Sequence, residues 1–231
     1  MQLTTKTLAH LDAMLARQPH LNELAISVRR AAVRICECAQ RGGKVLLCGN
    51  GGSAADSEHI AGELMKSFIL PRRISTGDIE RLRVSGAANA DRLAERLQCG
   101  VAAVALGSNA AVSTAIANDT DAALIFAQQV YVLGRPGDVL IGLSTSGNST
   151  NVVYAMEVAR AFGIETIGFT GSTPAKLDAL SDVLFKAPET ETFRIQECHL
   201  ALYHTLCLMV EESLFGEAQA PTTVAKASAM M

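Results

Sequence analysis

The feature that most limits how this chain can fold is a turn near residue 50, within KVLLCGNGGSAADSEHIAGELM at 44–65. Residues 45–48 form a short unbroken apolar run, the pattern of a strand buried on both faces. Gly49, Gly51 and Gly52 follow, and without Cβ atoms they let a ligand approach the backbone. Ser53 then stands where a helix N-cap belongs. Strand, glycine turn and helix start together aim amide donors and the positive end of a helix dipole at one point, which suits an anion such as phosphate. The spacing fits neither the GxGxxG of dinucleotide sites nor the lysine-tipped loop of nucleotide hydrolases. Its weight comes from downstream: His59 and Glu63 lie four apart on the helix it opens, and so share one face.

The same design recurs later. Residues 139–143 are apolar, STSGNST at 144–150 is a hydroxyl-rich turn, and 151–162 reads as a helix. Ser144, Thr145, Ser146 and Ser149 flank Gly147 and can surround a phosphate with O–H and N–H donors. A capped strand-to-helix turn would look similar. Two such turns in one chain favour a binding site, because ligands of open α/β sheets collect at the carboxyl ends of strands. Further apolar runs at 101–106, 165–170 and 182–186 read as strands. Strands alternating with helices predict an α/β fold, a parallel sheet covered on both faces with right-handed crossovers.

Composition narrows the function. With 231 residues, 49% apolar and 19% charged, the chain suits one domain with a large core. A net charge of −3 without a basic stripe argues against nucleic acid. No run is long enough for a membrane span, and the start lacks a charged-then-apolar leader, so a cytoplasmic location is expected. Six cysteines without a CxxC pair read as reduced, mostly buried thiols.

In chain order, residues 1–40 form an amphipathic helical arm broken at Pro19, suited either to a partner subunit or to the chain's own sheet. Residues 41–217 are the main domain, and 218–231 read as a flexible tail. After Lys66 comes an irregular stretch with Arg72 and Arg73 and a helix expected at 91–98, either a surface excursion or a lid. Ser113 is expected to cap a short helix through Ala117, and 118–121 to form a turn or cap before a helix at 122–133.

The last helix, expected at 194–215, carries RIQECHLALYH. Gln196 and His204 are eight apart, about 80° around the axis at about 100° per residue, so broadly on one side. A lone histidine there would more often be structural. With His59 and Glu63 earlier, a metal-ligating set and an acid–base set both remain open.

Taken together, GNGGS with its HxxxE pair, STSGNS after a strand, and RIQE followed by His204 resemble the SIS (sugar isomerase) domain, and within it the phosphoheptose isomerases. The resemblance runs from Leu8 to Phe215. It implies a flavodoxin-like three-layer αβα sandwich and a homotetramer with sites between subunits. It also implies interconversion of sedoheptulose 7-phosphate and D-glycero-D-manno-heptose 7-phosphate. By the same resemblance, Ser53, Ser144, Thr145, Ser146 and Ser149 hold phosphate, Asn50, Gly51, Gly52 and Asp119 line the sugar, and Glu63 and His204 are the acid–base pair. His59, Glu63, Gln196 and His204 match positions that bind zinc in some members, which implies one ion per subunit.

Two positions depart from the family pattern: Ser67 stands where an arginine is common, and Phe193 where an aspartate is common. The insert at 68–100 is also longer, which leaves room for another ketose phosphate as substrate. The alternative from a different class is a non-catalytic tetrameric SIS factor that binds a protein, such as a replication initiator, or senses a sugar phosphate.

Overall fold

The computed structural model describes residues 1–216. The expected tail at 218–231 lies outside the described residues. In chain order the elements are α1 (Thr5–Arg17), a 3-10 turn (Pro19–Leu24), α2 (Ala25–Gln40), β1 (Val45–Gly49) and α3 (Gly52–Met65). Next come α4 (Thr76–Val84), α5 (Ala90–Arg96), β2 (Ala103–Ala105), α6 (Ala110–Ile116) and α7 (Ile125–Leu133). The chain continues with β3 (Val139–Leu143), α8 (Thr150–Ala161), β4 (Glu165–Thr170), α9 (Lys176–Leu180), β5 (Val183–Lys186) and α10 (Thr192–Phe215). Five strands pair in parallel in the order β2-β1-β3-β4-β5. This is the doubly wound order whose switch point lies between β1 and β3.

The strands are continuous apolar runs because both faces are covered. Along β1, Val45 and Leu47 enter one core cluster while Leu46 and Cys48 enter the other, as the two-residue period of a strand requires. The first cluster holds side chains of α1, α2, α3 and α10, and the second those of α7, α8 and α9. The fold is therefore the expected three-layer α/β sandwich. The N-terminal arm lies on the chain's own body: Leu11, Met14, Leu21, Val28 and Ile35 are buried in the first cluster. No described helix is long and apolar enough to cross a membrane.

Several local expectations are corrected. The strand expected at 101–106 shortens to β2, which among the described residues is an edge strand paired only with β1. Asn109, not Ser113, caps α6, its side chain accepting from Val112 N at 3.2 Å. Residues 117–124 form a π-helical turn and a 3-10 turn rather than a simple cap, though Asp121 does accept from Ala123 N. The insert contains α4 as well as α5, and neither helix buries a residue.

Candidate active site

The two glycine-bearing turns stand side by side at the carboxyl ends of β1 and β3, astride the switch point. Gly51 sits at φ +56°, which a residue with a Cβ adopts only under strain. A Cβ on Gly52 would meet Gln196 Nε2 at 2.2 Å, so that glycine lets the α10 glutamine lie on the start of α3. Asn50 and Asn151 exchange amide hydrogen bonds, each 2.9 Å, and tie the turns together.

In the second turn, Ser144 Oγ lies 3.0 Å from Ser149 Oγ and 3.4 Å from Ser146 Oγ. Asn148 N donates to Ser146 Oγ, and Gly147 takes φ +63°. The loop after β4 backs the turn, Gly171 N donating to Thr145 O at 3.0 Å. Ser53 is buried in the first turn of α3, and its carbonyl accepts from Ser57 Oγ.

One helical turn further on, α3 meets α10. His59 Nε2 lies 3.4 Å from Glu63 Oε1 and 3.4 Å from His204 Nε2, so the His/Glu pair and the distant histidine do converge. Lys66 Nζ donates to Glu63 Oε2 at 2.8 Å and holds the carboxylate from its other side. Burial and the neighbouring His59 hold His204 below the usual imidazole range, opposed by Glu63. Phe68 closes this end, its ring 5.7 Å from that of His204.

Sequence reasoning missed two further side chains here. Tyr203 O–H donates to Asp56 Oδ1 at 3.2 Å, and its oxygen lies 3.1 Å from His59 Nδ1. Burial raises the Asp56 carboxyl, against the lowering effects of Tyr203 and His59. The signal available was spacing: Asp56 precedes His59 by three on one helix face, and Tyr203 adjoins His204.

Arg72 is not a ligand-facing lid arginine. It is buried, donating from Nε to Glu211 Oε1 at 2.7 Å and from its two terminal nitrogens to Leu64 O and Glu63 O, carbonyls of the last turn of α3. Ser67, at the departing position, accepts from Arg72 N. Phe193 is exposed, with the Arg194 guanidinium over its ring. Asp119 is exposed on the π-helical turn, where it accepts from Asn118 Nδ2 rather than joining the α3–α10 cluster.

By chemistry, the donors His59, Glu63 and His204 suit zinc, and His59 Nε2 stands 3.4 Å from both Glu63 Oε1 and His204 Nε2. Among the described residues, however, no group of three such donors is already arranged to hold an ion.

The fold and these turns define a class. The chain belongs to the SIS domain family, whose pattern matches residues 10–96 and 82–171. It is 39% identical over 204 residues to the phosphoheptose isomerase of Desulfovibrio desulfuricans, covering 88% of this chain and 85% of that one. The phosphoheptose isomerase structure from Neisseria gonorrhoeae superimposes with a TM-score of 0.66 at 34% identity, over 87% of this chain and 96% of that one. The Francisella tularensis phosphoheptose isomerase gives a TM-score of 0.68 at 27% identity, over 92% and 100%.

Proposed function

We propose that this chain is an aldose–ketose isomerase interconverting sedoheptulose 7-phosphate and D-glycero-D-manno-heptose 7-phosphate. The observation carrying the chemistry is the convergence of Glu63 and His204 on His59, beside two phosphate-type turns. Isomerisation moves one proton between adjacent carbons through an enediolate, so it needs a carboxylate base and a second group serving the oxygens. From the ketose, Glu63 takes the C1 proton and returns it to C2 of the enediolate (the reverse from the aldose), with Lys66 fixing one of its oxygens. His204 exchanges protons with the sugar oxygens. Ser53, Ser144, Thr145, Ser146 and Ser149 hold the phosphate, and Asn50, Gly51, Gly52 and Gln196 line the sugar.

His59, Glu63, Gln196 and His204 would hold zinc, one ion per subunit, and a bound ion would polarise the sugar's carbonyl and hydroxyl oxygens. The reading includes a cytoplasmic homotetramer with sites shared between subunits. Asp119, exposed on the π-helical turn, would line the sugar at such a shared site. The non-catalytic SIS alternative is not favoured, because the acid–base set is complete.

The test is incubation of the pure protein with sedoheptulose 7-phosphate, with added zinc or with a chelator, and detection of the aldose. Glu63→Gln should lower kcat by about 10²–10⁴-fold while leaving phosphate binding intact. Full turnover in that variant would remove the base assignment. No turnover by the native protein in either condition would remove the isomerase reading.

A further inference from the structure

We propose that Tyr203 and Asp56 are positioning residues that fix His59 as its Nδ1–H tautomer and so turn a bare Nε2 toward Glu63 and His204. The inference rests on the isomerase reading and deepens it by naming what orients the centre of its acid–base cluster. Tyr203 lies on α10 and is 1% exposed, and Asp56 sits one turn before His59 on α3. A carboxylate only accepts, so the single hydroxyl proton of Tyr203 points to Asp56 Oδ1, 3.2 Å away. The tyrosine oxygen is then the acceptor for His59, and the 3.1 Å contact places the imidazole proton on Nδ1.

A neutral imidazole carries one N–H. Nε2 of His59 therefore presents its lone pair where Glu63 Oε1 and His204 Nε2 each stand 3.4 Å off. In that state it can accept a proton or a metal, whereas an Nε2–H would block both. The tyrosine ring also braces both imidazoles edge-on, at 5.5 Å from His59 and 4.9 Å from His204 between centroids. Among the described residues Asp56 makes no ion pair, and its Oδ2 is buried without a partner. The Tyr203 contact is thus the hydrogen bond that engages this carboxylate.

The test uses full-length protein with ¹⁵N-labelled histidine, five residues in all, and reads ring-nitrogen shifts at neutral pH. The native protein should show His59 protonated at Nδ1. Tyr203→Phe removes the acceptor and Asp56→Ala frees the tyrosine proton to turn toward Nδ1, so each should shift His59 toward Nε2–H. Both should lower kcat about 10–100-fold, the usual effect of losing a partner behind a ligand or catalytic imidazole. KM should stay within about twofold, and the double variant should be no slower than the worse single one.

Unchanged His59 tautomers in both variants would overturn the proposal, as would kinetic losses that multiply in the double. Should Asp56→Ala fail to fold, Tyr203→Phe alone decides, since it keeps the ring. The nitrogen shifts are read without substrate. A native protein that shows the Nδ1–H form and its loss in the variants but no turnover would retain the tautomer assignment and refute only the isomerase reading.

Discussion

Glu211→Gln is the most exacting probe of how the segment after α3 is held. Glu211 is fully buried on α10, and its two oxygens serve four donors. Oε1 accepts from Phe68 N and Arg72 Nε, and Oε2 from Ile69 N and Leu70 N, at 2.7–3.1 Å. Burial raises this carboxyl, but the three amides and the guanidinium outweigh it and hold it below the usual carboxylate range.

Glutamine keeps the shape but has one oxygen. Whichever way the amide is turned, two of the four donors face an NH₂ group. Two orphaned buried donors at about 1–3 kcal/mol each give about 2–6 kcal/mol, in line with about 3–5 kcal/mol for breaking a buried ion pair. At about 2–4 °C per kcal/mol for a chain of this size, Tm should fall by about 10 °C. Urea melts followed by circular dichroism give the free energy directly. Because the folded carboxyl titrates below its unfolded value, its contribution is present above about pH 4.3 and is lost as pH falls further. The variant should lack that part of the acid slope. A loss under about 1 kcal/mol, or an unchanged acid slope, would refute the reasoning.

Three further outcomes are expected. His199 is fully buried with Nε2 donating to Thr170 O, and burial lowers it from 6.5 to about 4. Protonation therefore favours the unfolded chain. About 3 kcal/mol present above pH 6.5 should be lost between pH 6.5 and 4, and His199→Phe should flatten that part of a stability–pH profile. Gly52→Ala should displace the end of the Gln196 side chain, which would stand 2.2 Å from the new Cβ. Isomerase rate should fall by about tenfold while Tm changes little, because the clash is with a flexible side chain. Burial pushes the Cys36, Cys48 and Cys207 thiols up to about 12, and Cys99 alone among the six is not buried. Titration of native protein with a chromogenic disulfide should therefore release about one equivalent.

The sheet was legible because strands buried on both faces must be apolar throughout, and β1, β3 and β4 lie within one residue of where those runs place them. The two turns were equally open to reading, since glycines and hydroxyls between a strand and a helix have few other uses. α4 was not visible: it buries nothing, so it has no apolar stripe for a periodicity to reveal. Arg72 and Glu211 lie 139 residues apart and look like surface charges until the fold pairs them. Tyr203 reads as core filler, and only its approach to Asp56 and His59 across the α3–α10 seam gives its hydroxyl a task. Asp119 could be flagged as a polar residue near a turn, but nothing in the local pattern fixes how far it stands from α3.

The reciprocal Asn50–Asn151 pair has a consequence for substrate length. Two amides bonded head to tail resist both shear and separation, so the clasp turns two loops into the rigid jaws of a caliper. On the proposed function the two jaws together would seat the anionic tail, and their fixed spacing would set the depth at which the carbonyl end comes to rest. A sugar phosphate one carbon shorter, seated by its tail, would leave its reactive carbons short of the helix-borne groups. Breaking that clasp should blur the enzyme's measure of chain length before it harms the chemistry itself.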